Sequence, residues 1–372
     1  MKRTHKFWRR ITDGIVLSEL WKQFQADART SYRLYSREIE TSRPPGRGRG
    51  RHFIWMAKQF LWAIFDKLTP ARRVLLLIAL ILLLPDVEVL WEKDIHSVKA
   101  FWFGGAFWGG ILLLVLLLLE IADRVVMKRD LQIAKEIQAW LLPPEPPTVP
   151  GLEIAFATRP ANTVAGDYYD VFPRLAAPSP GGDYLIAIAD VAGKSVPAAM
   201  LMATFQASLK TLAATASSLT ELVGRMNNYA CSNSQNGRRF TTAFIAEYEP
   251  ASRALSYVNA GHNPPILRRK AGAIERLQTG GIPLGIQQNA AYQSGMVTLE
   301  AGDWLVIFTD GVTEAENARA EEYGEPRLLT VLRANLAAAP QTLLNAIMMD
   351  LDRFVGDAPQ HDDITLLLLK AV

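Results

Sequence analysis

The chain has 372 residues and a net charge of +3; its one cysteine excludes an intramolecular disulfide, and its five scattered histidines leave no zinc-ligand spacing. Residues 1–73 hold 17 Lys and Arg against 6 Asp and Glu, a balance of +11 that leaves −8 for the rest. An acidic main domain argues against nucleic acid as its partner and agrees with a cation site.

Residues 1–40 disperse Trp21, Phe24, Tyr32 and Tyr35 among charges, which suggests helix and carries no functional signal. "TSRPPGRGRGRH" (41–52) is a flexible basic linker; no strand precedes its glycines, so they are not a nucleotide-binding loop. "FIWMAKQFLWAIF" (53–65) fits an amphipathic interfacial helix and fits a pre-membrane segment as well. Residues 1–70 are read as a basic cytoplasmic segment. No cleavable signal peptide is expected, because the first forty residues are polar and basic.

Phe101–Leu119 holds nineteen uncharged residues before Glu120. That is enough to cross a bilayer core of about 30 Å. Upstream, eleven apolar residues from Val74 reach Pro85 before Asp86 and Glu88 intrude, which alone would fit an interfacial or re-entrant helix. Charge favours a second crossing. Lys58, Lys67, Arg72 and Arg73 precede the pair, while Arg124, Lys128, Arg129 and Lys135 follow it. The short loop Glu92–Ala100 holds only Lys93 and Lys99. The positive-inside rule then places both flanks in the cytoplasm. The expectation is a transmembrane helical hairpin within 71–122, in a multi-pass protein of the cell (inner) membrane. The lipid bilayer is its partner, and both termini and the large domain are cytoplasmic.

Residues 123–150 follow as a linker helix that stops at Pro143. Met127, Leu131, Ala134, Gln138 and Leu141 form a 4-3 seam. The seam suits a homodimer contact through 123–142 and suits packing on the chain's own domain equally.

Beyond Pro150 the pattern is β-rich with interleaved helices, and 151–372 reads as one domain. Its acids fall at strand ends. "VAGDYYD" (164–170) carries Asp167 and Asp170, and "LIAIADVAGKS" (185–195) ends a buried apolar run in Asp190. "WLVIFTDGVTEAE" (304–316) repeats the pattern with Asp310 and Gly311, and "HDDITLLLL" (361–369) opens a strand with Asp362 and Asp363. One such Asp is ordinarily a turn former or a helix cap. Several at converging strand ends are different: two carboxylates about 5 Å apart repel by roughly 3 kcal/mol at an effective dielectric near 20. Such a group needs a counter-charge, and hard oxygen donors without thiolate or imidazole select Mg²⁺ or Mn²⁺. "AGKS" is not a P-loop, because Ile188 stands where the first glycine is needed. A receiver domain is excluded by the length and strand content.

"LLPPEPPTVPGLEIAFATRPANTVAGDYYDVF", "IAIADVAGKSVPAAMLMA", "FTTAFIAEYEP", "LSYVNAGHNPPILRR", "GIPLGI", "WLVIFTDGVTEAEN" and "HDDITLLLL" follow one another through roughly residues 131–372. In order and spacing they resemble the motifs of bacterial metal-dependent protein Ser/Thr phosphatases of the SpoIIE/RsbU branch of the protein phosphatase type 2C (PPM) family. The resemblance implies an α+β fold, an α-β-β-α sandwich of two antiparallel sheets, with two Mn²⁺ or Mg²⁺ ions at one end. By resemblance, Asp190 bridges both ions and Val191 offers its backbone carbonyl. Asp310 and Asp362 complete the first ion's shell, and Asp167 stands near the second. Asp190 and Asp310 are thereby the principal catalytic positions. Asp363 hydrogen-bonds or ligates nearby, and Asp170, Gly311 and His262 are supporting candidates. Ala165 and Ser195 depart from the family pattern, where glycine is common. The resemblance further implies a phosphoprotein substrate, such as an anti-sigma-factor antagonist. The rival expectation is a catalytically silent membrane adaptor of the same fold.

Overall fold

In the computed structural model, which describes residues 68–83, 95–174, 182–233 and 239–372 (95–104 as backbone only), the apolar run Leu185–Ala189 lies in strand β3 (Asp183–Val191). It is apolar throughout because both faces are covered. Ile186 and Ile188 face a second sheet, whereas Leu185, Ala187 and Ala189 face helices. β11 (Ile364–Ala371) repeats the pattern, with Leu367 and Leu369 turned inward and Leu366 and Leu368 turned to helices on the other side. Strands of this kind form the middle of a four-layer structure.

One sheet runs β1 (Leu152–Arg159), β11, β10 (Trp304–Phe308), β6 (Ile266–Arg268) and β7 (Ile274–Arg276). The other runs β2 (Tyr168–Arg174), β3, β4 (Thr241–Glu249), β5 (Ala254–Ala260) and β8 (Gly280–Gly281), with β9 (Gly295–Thr298) also on β5. Every named pairing is antiparallel except the two-residue β5–β8 contact. Helices α3 (Ser195–Ala213) and α4 (Leu219–Asn233) cover the second sheet through Met202, Leu209, Leu222 and Met226. Helices α6 (Glu325–Ala334) and α7 (Pro340–Val355) cover the first through Leu328, Leu343, Ile347 and Leu351, with a one-turn α5 (Asp310–Thr313) after β10. The expected α-β-β-α sandwich is what forms.

The chain divides into two units, 1–125 and 126–372, and α2 (Ile95–Leu141) belongs to both. In the first unit, α1 (Pro70–Leu83) and α2 run antiparallel. Arg72 lies 2.7 Å from Asp123, while near the other end a Cβ on Gly109 would stand 2.9 Å from Leu83 and 3.0 Å from the Ala79 carbonyl. Glycine therefore lets the two backbones approach. Among the described residues, one helix is long and apolar enough to cross a membrane, Gly105–Leu141. Its Leu114, Leu117, Leu118 and Ile121 expose roughly half their surface, an apolar band left uncovered among the described residues.

One boundary differs from expectation. Ile95–Ala100, read as part of a loop, already belong to α2, and the linker helix runs on directly from the apolar span. The expectations for 1–67 and 84–94, including the end of the first crossing, lie outside the described residues.

Candidate metal centre

Strand order brings the acids to one end of the sandwich. Asp167 immediately precedes β2, and Asp190 stands near the end of its neighbour β3, opposite Thr242 of β4. In the facing sheet, Asp310 follows β10 and Asp362–Asp363 precede the neighbouring β11. Thr309 joins the sheets: its hydroxyl donates to Asp167 Oδ2 at 2.9 Å and also accepts from the Thr365 N–H at 3.0 Å.

Two glycines make the close approach feasible. A Cβ on Gly311 would lie 2.0 Å from the Asp363 carbonyl oxygen, so only glycine lets α5 rest on the Asp362–Asp363 backbone. A Cβ on Gly166 would crowd the Val191 carbonyl at 3.2 Å. Asp363 fastens the loop ahead of Asp167, accepting from the Ala161 and Gly166 N–H groups at 2.7 and 2.6 Å. A further clamp comes from α2. The buried Gln138 amide donates to the Ala165 carbonyl at 2.7 Å and accepts from the Ala165 N–H at 2.9 Å.

The charges are mutually repelling. Burial first, then Asp310, Asp362 and Asp363, push the Asp190 carboxyl up to about 7. Burial and then Asp190 raise Asp167 well above the usual carboxylate range, against the hydrogen bonds it accepts. Burial and then Asp362 raise Asp310, and burial raises Asp363 against its backbone donors. Among the described residues, no three such side chains converge closely enough to grip an ion as they stand. Thr309 holds Asp167, the main chain holds Asp363, and Lys194 lies 3.3 Å from Asp362.

Asp170 is not part of this group. It accepts from the Tyr168 hydroxyl at 2.8 Å and pairs with Lys210 of α3 at 2.7 Å, on the helix-covered face of β2. His262 is sealed at 5% exposure, and burial pulls its imidazole down to about 4, so it is neutral near pH 7. Its Nδ1 is 3.1 Å from the Thr242 hydroxyl, which reaches the Asp190 carbonyl at 3.5 Å. It buttresses the end of β3 from below. Thr309 escaped the sequence reading, and Lys194 entered it only within the rejected phosphate loop "AGKS"; both adjoin or follow an acid motif, and that adjacency was the available signal.

The turn from β3 to α3 is strained. Gly193 has φ +124° and Ser195, at the first position of α3, has φ +61°. A left-handed non-glycine costs roughly 1–2 kcal/mol, which gives a physical reason for glycine at this position in the family pattern. Ser195→Gly should stabilise the domain by about 1 kcal/mol, raising its melting temperature by roughly 2–4 °C. A calorimetric scan showing no rise would contradict the strain.

The family model described as "Stage II sporulation protein E (SpoIIE)" matches residues 180–372, from the start of β3 to the last residue. The chain belongs to the SpoIIE family. Phosphoserine phosphatase RsbU of Bacillus subtilis is 30% identical over 247 residues, covering 66% of this chain and 70% of RsbU. Protein IcfG of Synechocystis is 30% identical over 276 residues, 67% of this chain but only 42% of IcfG. Among solved structures, the SiaA-PP2C domain of Pseudomonas aeruginosa superposes with a TM-score of 0.57 at 20% identity, covering 68% of this chain and 99% of that one. The PP2C phosphatase domain of SpoIIE from Bacillus subtilis gives 0.51 at 17% identity, covering 59% of this chain and 63% of that one. The sandwich is therefore a PP2C-type fold, and the RsbU relative is itself a phosphoserine phosphatase.

Proposed function

We propose that this SpoIIE-family chain is a membrane-anchored protein serine/threonine phosphatase. Its substrate is phosphoserine or phosphothreonine on a regulatory protein of the anti-sigma-factor-antagonist class. Two Mn²⁺ or Mg²⁺ ions serve it. The observation that carries the reading is Asp190: a carboxyl pushed up to about 7 by burial and three further acids, at the end where the two sheets meet. A catalytically silent adaptor would have no need of a cluster so costly to bury.

The donors fit such ions, being oxygen only, mutually repulsive and short of positive charge. Asp190, the Val191 carbonyl, Asp310 and Asp362 would hold them, with Asp167 beside the second. Ions bound there supply Lewis acidity toward water and the phosphoryl oxygens. The remaining work belongs to the chain itself. Thr309 orients Asp167, Asp363 and Gln138 fix the loop that carries it, and His262 supports the end of β3 as a neutral group. Expected with purified full chain in detergent is phosphate release from a phosphoserine peptide that requires Mn²⁺ or Mg²⁺ and stops with chelator. No release under any metal condition would leave the adaptor.

The membrane anchor is the α1–α2 hairpin. Its support is the antiparallel contact at Gly109, the exposed leucines of α2 and the basic flanks. A reporter fused after Arg43 should read out as cytoplasmic; translocation of that reporter would leave one crossing. A homodimer through 123–142 is also proposed, by a different face from the 4-3 seam. From Leu131 onward that seam turns toward the chain's own domain, whereas Val126, Ile133, Ile137 and Trp140 form an exposed stripe, Trp140 at 80%. Their spacing of seven, four and three residues suits a two-stranded contact.

A further inference from the structure

Lys194 sits on the strained turn between Gly193 and Ser195, and its ammonium projects across the cleft beside the acids. It donates to the His361 carbonyl at 2.6 Å and lies 3.3 Å from Asp362 Oδ2. The cleft encloses about 180 Å³ and is lined here by Lys194, Gly311, Glu314, His361 and Asp362. Burial and neighbouring acids raise the carboxyls of Asp190, Asp310 and Glu314, and the field of Lys194 offsets part of that rise at each. Among the described residues, Arg159 also lines this cleft and pairs with Asp352 of α7.

A phosphate monoester is a dianion near pH 7, and the acids of this cleft repel it. Beyond any ion the acids hold, the phosphoryl oxygens need a donor that can follow them. An ammonium on a four-carbon stem does this. Lys194 is 57% exposed and Asp362 42%, and an ion pair that open to water contributes little. Lys194 can therefore leave Asp362 at small cost. The strained turn holds its Cα at the rim, where the side chain reaches both Asp362 and incoming ester.

We propose that Lys194 is a catalytic residue that binds the phosphoryl group of the substrate and the product phosphate. This rests on the phosphatase assignment above. Its role is to accept the dianion into an acidic cleft, and it predicts a binding defect more than a chemical one when its charge is removed.

The test uses the full chain in detergent with Mn²⁺, comparing the parent with Lys194→Met and Lys194→Arg. Lys194→Met keeps the stem and loses the charge. It should raise KM for p-nitrophenyl phosphate and the inhibition constant of inorganic phosphate by about 10- to 100-fold, the range of a charge-assisted hydrogen bond. Its kcat should change much less, its Mn²⁺ affinity should hold, and Lys194→Arg should restore most of the binding. Unchanged KM and phosphate inhibition would overturn the proposal. So would an effect confined to Mn²⁺ affinity, which would make Lys194 only the counter-ion of Asp362. If the parent hydrolyses no ester, the phosphatase assignment fails separately. Calorimetric titration of inorganic phosphate into Mn²⁺-loaded parent and Lys194→Met then decides whether Lys194 binds phosphate.

Discussion

Replacing Asp190 with Asn should reduce Mn²⁺-dependent hydrolysis by about a thousandfold or more, a barrier increase of roughly 4 kcal/mol. The amide keeps the shape and removes the charge at a position on which burial and three other acids act. The same substitution should make the chelator-treated protein more stable. The Asp190 carboxyl in the folded chain is raised to about 7 from 3.8. Between those values the folded state keeps a proton that the unfolded state has released. Its contribution therefore falls as pH rises from about 4 to 7 and stays unfavourable above that window. The uncharged amide is free of this penalty. Thermal unfolding at pH 8 with chelator should thus favour the variant, while added Mn²⁺ should stabilise the parent more, because ions bind the folded state. Undiminished turnover in Asp190→Asn would remove the metal mechanism, and equal Mn²⁺ stabilisation of both proteins would place the ions elsewhere.

What could be read from the sequence, and what could not, divides by range. Leu185–Ala189 ending in Asp190 was legible because a strand covered on both faces has no polar position until its end. The same held for Trp304–Phe308 before Asp310. Asp170 misled because "GDYYD" groups it with Asp167, although β2 directs Asp170 to the helix-covered face where Lys210 waits. Ile95–Ala100 misled because Lys99 resembles a loop's charge, while the helix already runs from Ile95 through Lys99. Gln138 fitted a heptad seam by spacing alone. Its partner lies 27 residues ahead on the backbone of Ala165, and no local pattern reports a backbone partner. Thr309 is similar: its value comes from standing between two sheets, which only the assembled sandwich defines.

Gln138→Leu should weaken Mn²⁺ binding by about 10- to 100-fold without removing any acid, because a lost buried hydrogen-bond partner costs roughly 1–3 kcal/mol. Leucine matches the volume but leaves the Ala165 N–H and carbonyl unpaired. Ala165 is two residues from Asp167, and the Gly166 N–H beside it is bonded to Asp363. Loosening the clamp therefore frees the segment that carries Asp167, and hydrogen exchange should quicken across 161–167. The helix bearing Gln138 also bears the exposed stripe of Val126, Ile133, Ile137 and Trp140 on another face. A partner helix on that stripe and the loop on the opposite side would bias one rigid element, which gives dimer formation a physical route to metal affinity. Couplings of that kind are typically worth about 1–3 kcal/mol. Ile137→Asp with Trp140→Asp should then yield a monomer in detergent, with Mn²⁺ affinity moved toward that of Gln138→Leu. If Gln138→Leu binds Mn²⁺ as the parent does, the clamp serves only to dock the helix. If the double aspartate variant is monomeric with parental Mn²⁺ affinity, the helix joins two chains without informing the site.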